Sequence, residues 1–261
     1  MKEEERFEYR YRELYHQLGA VQTVFPHEAK IQMAQMLEES LRRSHTLEGI
    51  AATQQSAAVK TGFAAEEVLS ETYNHEAILR GSSHRAWTDR DVGFPGQRND
   101  PSSDIGIVDA DGHIQHSAQV KIYKDSATTR DQMGLLDQHS RQPKYAAEDA
   151  LIGPRNQIHP TDHRPSVAES ARTKAQVEAT KRPEVARSLR DVEHKATDRL
   201  ATPDGTTGRG FDKRQYEDLG QQNQKGRQQR GDDPDQHDRD PGAAISMTRS
   251  NPMLWSFDTA S

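Results

Sequence analysis

Residues 104–121, running Asp104-Ile-Gly-Ile-Val-Asp-Ala-Asp-Gly-His-Ile-Gln-His-Ser-Ala-Gln-Val-Lys121, constrain the fold most. Turn-forming Pro101-Ser102-Ser103 precedes them, Asp109-Ala110-Asp111-Gly112 divides them, and β-branched residues dominate both halves, which is the pattern of a β-hairpin. If Asp111-Gly112 is the two-residue turn that Asp-Gly favours, Ala110 faces His113 and Asp104 lies opposite Gln119. A four-residue loop would shift the register by two and leave that pair diagonal on one face. In both registers Asp104, Gln119 and Lys121 project together, because residues two apart share a face of a strand. Ile105, Ile107, Ile114, Ala118, Val120 and Ile122 take the opposite face and are the expected core.

A carboxylate, an amide carbonyl and an ammonium on one face suit a hard divalent cation, Mg²⁺ or Mn²⁺, beside a phosphate. One carboxylate is few for such an ion. A second acid is available upstream in Gly62-Phe-Ala-Ala-Glu66-Glu67-Val-Leu-Ser-Glu-Thr-Tyr73-Asn74, which reads as a helix packed on the hairpin through Phe63, Val68 and Leu69. The competing reading is plainer. An alternating strand with polar residues outward also describes an ordinary half-exposed sheet, and a charge run on a helix is commonly its solvated side.

A helix with Gly-x-x-x-Glu, an Asp at the start of a strand, and Gln-x-Lys on the next strand together resemble the PD-(D/E)xK, or restriction-endonuclease-like, nuclease superfamily, in particular its Mrr-like Gln-x-Lys variant. The likeness covers roughly residues 60 to 125. It implies an α/β fold, a mixed central sheet flanked by helices. It implies catalytic roles for Glu66 (with Glu67 the neighbouring choice), Asp104, Gln119 and Lys121, and metal ligation by Glu66, Asp104 and Gln119. The implied activity is a Mg²⁺- or Mn²⁺-dependent endonuclease, a hydrolase of phosphodiester bonds, with DNA the expected nucleic acid and a homodimer as one possible assembly. The basic, Gly- and Pro-punctuated stretch 80–100 would then sit at the mouth of the site, where Arg85, Arg90 and Arg98 would meet backbone phosphates. A surface loop with Trp87 capping the core is the alternative. Neutral Gln119 stands where the superfamily most often carries an acid, and Ser103 where its name-giving proline would be.

Composition sets what surrounds this module. Only 32% of the 261 residues are hydrophobic and the mean hydropathy is −1.02, so much of the chain is outside any core. Cysteine is absent, which excludes disulfides, thiolate zinc sites and a thiol nucleophile. No apolar run approaches the ~20 residues of a membrane span, and the opening Met-Lys-Glu-Glu-Glu-Arg has no signal-peptide character, so a cytoplasmic protein without membrane contact is expected. The net charge of −6 excludes a general DNA-coating surface but not a locally basic cleft.

The flanks read as follows. Phe7, Tyr11, Leu14 and Leu18, then Ile31, Ala34, Leu37 and Leu41, recur at helical spacing and predict an N-terminal helical hairpin over 1–45, turning near Pro26. The nuclease-like core is expected over 46–160, with short helices at 131–138 and 144–151. A helical extension over 161–201 starts at the capping box Ser166-Val-Ala-Glu169 and breaks at Pro183. Residues 202–261 carry so few apolar side chains that a disordered tail is expected. That tail keeps a second class of function open: a non-catalytic scaffold of a mobile element or secretion system, retaining a nuclease-like fold and recruiting a protein partner through its C-terminal residues.

Overall fold

A computed structural model describes residues 27–91, 103–144 and 150–219. The chain begins with two long helices, α1 (His27–Ala52) and α2 (Ala57–Arg80). Helix α2 starts at Ser56, whose side chain accepts from Val59 N, and stops at Gly81, which adopts a left-handed φ of 68° so that its N–H reaches Ala77 O and Ile78 O. Ala65, Val68, Leu69, Tyr73 and Ala77 form its buried stripe and pack on Ile105, Ile107, Ala118 and Val120 of the sheet. Burying the Val, Leu and Ile side chains among them contributes roughly 1.5–3 kcal/mol each.

The sheet is mixed. Its strands β1 (Arg85–Thr88), β2 (Ile105–Val108), β3 (Ile114–Val120), β4 (Ala150–Ile152) and β5 (Ala196–Thr197) lie side by side in sequence order. The first three are antiparallel, whereas β3, β4 and β5 are parallel. The crossover from β3 to β4 carries α3 (Ser126–Met133). The one from β4 to β5 carries α4 (Arg155–Ile158), α5 (Val167–Glu178) and α6 (Pro183–Lys195). Met133, Leu151, Ile158, Val167, Ala171 and Val192 form a second core, on the face of the sheet away from α2. Strand β4 divides between the two layers: Ala150 and Ile152 pack with the α2 cluster and Leu151 with the other, as the two-residue period of a strand demands.

The hairpin reaches the expected pairing by an unexpected route. Asp109 N donates to His113 O at 3.0 Å, so the loop is Ala110-Asp111-Gly112, one residue longer than a two-residue turn, with Gly112 at φ 85°. Ile107 pairs with His116 and Val108 with Ile114, leaving Gln115 as an extra residue, a β-bulge. The bulge offsets the longer loop. Ile105 therefore pairs with Ala118 and Asp104 N donates to Ala118 O at 3.0 Å, which sets Asp104 opposite Gln119. Ile114 lies on the turn side of the bulge, where the alternation of faces is inverted, and it is exposed rather than part of the core; Ile122 packs at the core's edge.

Helix α1 is joined to the body by charge. Arg43 is fully buried and donates to Glu39 Oε1 (2.9 Å), Glu67 Oε2 (2.6 Å), Asp91 Oδ2 (3.0 Å) and Ala86 O (2.9 Å). Asn74 joins the same group, donating to Glu39 Oε1 and Ala86 O and accepting from Ala86 N. Burial opposes the Arg43 charge, but the three surrounding carboxylates outweigh it and raise its pKa. The expected apolar face of α1 points elsewhere: Ile31 and Leu37 are exposed.

Several boundaries differ from the sequence reading. Helix α1 runs unbroken through 45, where a boundary was expected, and residues 1–26 lie outside the described part. The helix expected at 131–138 is α3, five residues earlier, because Asp125 caps it by accepting from Thr128 N. Residues 150–151 belong to β4 rather than to a helix; Ala-Leu-Ile is too short a run to show its period. Residues 202–219, placed in the tail, are ordered, with Phe211, Tyr216 and Leu219 in the main core. A composition averaged over the whole tail hides these few anchors; residues 220–261 lie outside the described part. The capping box at Ser166 and the break at Pro183 are as read. Among the described residues, no helix is long and apolar enough to cross a membrane.

Candidate active site

Three of the candidate residues, Asp104, Gln119 and Lys121, meet where β2 begins and β3 ends. Lys121 Nζ donates to Asp104 Oδ2 at 3.1 Å and to Gln119 Oε1 at 2.8 Å, so the ammonium bridges the two. The same Asp104 oxygen accepts from Val120 N at 2.8 Å, which fixes the carboxylate against the strand end. Lys121 N donates to Ile152 O at 2.8 Å, so the parallel pairing with β4 holds the backbone that carries the lysine. Asp104 and Lys121 are each partly exposed, while Gln119 is buried at 1%.

Buried Gln119 is only half satisfied. Its Oε1 accepts from Lys121, but its Nε2 has no hydrogen-bond partner among the described residues. An unpaired buried amide N–H costs roughly 1–3 kcal/mol, and functional sites are where such costs are retained.

The two adjacent glutamates of α2 separate cleanly. Glu67 accepts from Arg43 at 2.6 Å and from Thr88 Oγ1 at 2.8 Å, so it belongs to the network that fastens α1 and β1 to α2. Glu66, one residue back and turned about 100° around the helix, accepts from Arg90 Nη1 at 2.5 Å. Burial pushes the Glu66 carboxyl up to about 8; Arg90 pulls against that rise, and the Asp104 charge adds to it. Glu66 and Asp104 thus feel one another electrostatically, although neither hydrogen-bonds the other.

Of the three arginines, Arg90 is at the site, its guanidinium 3.6 Å from the centre of the Phe63 ring. Arg85 donates to Ser82 O and His84 O, close to its own place in the chain. Arg98 lies outside the described residues. Sequence reasoning overlooked Phe63 as the platform under Arg90 and Val120 N–H as the donor holding Asp104; a helical apolar residue and a backbone group leave no distinguishing mark in a sequence.

The donor set fits a hard cation. Two carboxylates with an amide carbonyl are the oxygen ligands Mg²⁺ and Mn²⁺ take, and the orphaned Gln119 N–H is a donor suited to an anionic oxygen nearby. Asp109, Asp111 and His113 also come together, but in the hairpin loop. There Asp109 already accepts from Asp111 N, His113 N and Gln115 Nε2, which is the bonding that closes the loop. Comparison with protein-family models, with curated proteins and with solved structures finds no match to this chain.

Proposed function

We propose that this protein is a divalent-cation-dependent nuclease with a restriction-endonuclease-like core, cleaving phosphodiester bonds of nucleic acid, DNA foremost. The observation that carries the reading is Lys121 Nζ bridging Asp104 Oδ2 and Gln119 Oε1 at the strand ends, with the Asp104 charge felt at the buried Glu66 carboxyl. The element order supports it: a long helix bearing the acid, three antiparallel strands, then a crossover helix to a parallel strand.

Glu66, Asp104 and the Gln119 carbonyl would hold Mg²⁺ or Mn²⁺, which when bound supplies Lewis-acid activation of water and of the phosphate. Asp104, fixed by Val120 N–H, keeps its second oxygen available to that ion. Lys121 sets a positive charge where the phosphate gains negative charge in the transition state, and orients the water whose oxygen attacks phosphorus. As the new P–O bond forms, the P–O bond to the leaving sugar oxygen breaks, and that oxygen takes up the proton the water loses. Gln119 Nε2 donates to a phosphate oxygen and thereby finds the partner it lacks.

Incubation with plasmid DNA, single-stranded DNA and RNA, with and without Mg²⁺ or Mn²⁺, tests the reading against Asp104→Ala and Lys121→Ala. Cleavage that needs the ion and falls at least a hundredfold in both variants is expected. Cleavage unchanged in both would overturn the site, and no cleavage of any nucleic acid would favour a scaffold.

A further inference from the structure

Both carboxyl groups that the proposed function gives to a cation are already engaged by the protein's own basic side chains: Lys121 on Asp104, and Arg90 on Glu66. The two engagements differ. Lys121 stays within the strand pair and reaches Gln119 as well, whereas Arg90 stands on the turn after β1 and reaches Glu66 and Phe63 of α2.

The backbone around Arg90 is anchored on both sides. Asp91 N donates to Thr88 O, Thr88 N donates to Asp91 Oδ2, and the Asp91 carboxylate is held by buried Arg43. Movement at this position is therefore confined to the side chain, which is 22% exposed and lies over the Phe63 ring. An aromatic platform holds a guanidinium by its face and leaves its edge of N–H donors for a planar anion. That edge is spent on Glu66, with Asp89 Oδ1 at 3.1 Å.

We propose that Arg90 is a phosphate-binding residue held in check by Glu66, and released to the nucleic-acid backbone when a divalent cation takes that carboxylate. This rests on the reading of Glu66, Asp104 and Gln119 as the cation site. A dication and a guanidinium on one carboxylate oxygen repel each other, so the ion displaces Arg90 from Glu66. The freed guanidinium, still seated on Phe63, has a phosphodiester as its next acceptor and binds it in the forked geometry guanidinium groups prefer. Cation and nucleic acid then favour each other's binding, by the same factor in either order.

The test uses the full chain with Mn²⁺, followed by loss of the free-ion electron paramagnetic resonance signal, with and without phosphorothioate DNA and phosphorothioate RNA duplexes. Parent protein, Arg90→Ala, Arg90→Lys and Asp104→Ala are compared, each first shown to be folded by circular dichroism and thermal melting. A duplex should tighten Mn²⁺ binding to the parent by roughly tenfold or more. Arg90→Ala should bind Mn²⁺ alone at least as tightly as the parent but keep only a small part of that gain, with Arg90→Lys between them. Weaker Mn²⁺ binding by Arg90→Ala alone, or an undiminished gain, overturns the Arg90 proposal while leaving the site. Mn²⁺ binding that ignores Asp104→Ala overturns the site reading itself.

Discussion

At the residue scale, two neighbouring glutamates of one helix have opposite tasks, and their partners say which is which. Glu67 carries half of an ion pair with Arg43 in a place sealed from water. Glu67→Gln keeps the Thr88 bond but loses the charge, and should cost about 1–3 kcal/mol in urea unfolding. Burial opposes the Glu66 charge while Arg90, itself 22% exposed, favours it, so Glu66→Gln gives up an ion pair but also the cost of burying a charge. Its stability should stay within about 0.5 kcal/mol of the parent, a surface-like value. The reverse order of the two costs would exchange their assignments. Glu71 gives a pH signature of its own. Burial pushes its carboxyl from 4.5 up to about 7, although Ser40 Oγ donates to it at 2.7 Å. A raised folded pKa means the native state holds the proton more tightly, so this group's contribution is full below pH 4.5 and is lost as pH rises through 7. Glu71→Gln, with no proton to lose, should match the parent at pH 5 and exceed it by on the order of 2 kcal/mol at pH 8. Equal thermal melting of the two at pH 8 would show that Glu71 is not buried as a neutral acid.

At the element scale, the hairpin shows what sequence conveys and what it hides. The pairing of Asp104 with Gln119 was legible, because alternation of apolar and polar residues fixes which face each strand buries. The longer loop and the bulge at Gln115 were not, since they cancel and leave the far ends where a simpler turn would put them. Only Ile114, stranded between the two irregularities, reveals them by its exposure. Val108 with Ile114 and Ile107 with His116 are each in register on their own side of Gln115. Deleting Gln115 should therefore join two correctly paired halves. Mn²⁺ affinity should be unchanged and stability lowered by a few tenths of a kcal/mol for the lost bond to Asp109. A loss of Mn²⁺ binding would mean the bulge itself shapes the site. Helix α1 was misread for a related reason: its apolar stripe was legible, but its attachment is Arg43 with three carboxylates, residues that a sequence presents as a solvated face.

At the scale of the whole molecule, a mixed five-stranded sheet is covered by α2 on one face, with α1 packed against α2, and by α3, α5 and α6 on the other, and the candidate site lies at the ends of β2 and β3. Strand β4 and the anchors Phe211 and Tyr216 close the fold, yet three residues of strand and two isolated aromatics are too short and too sparse to stand out from polar surroundings. Chain segments far apart in sequence converge on the site: α2 brings Glu66 with Phe63, the turn after β1 brings Arg90, and the hairpin brings Asp104, Gln119 and Lys121. Crystals soaked in Mn²⁺ and measured at its absorption edge test whether this convergence is a cation site. An anomalous peak is expected within about 2.0–2.4 Å of Glu66 and Asp104 oxygens, with Arg90 turned away from Glu66. A peak only at Asp109, Asp111 and His113, or none beside Asp104, would contradict it.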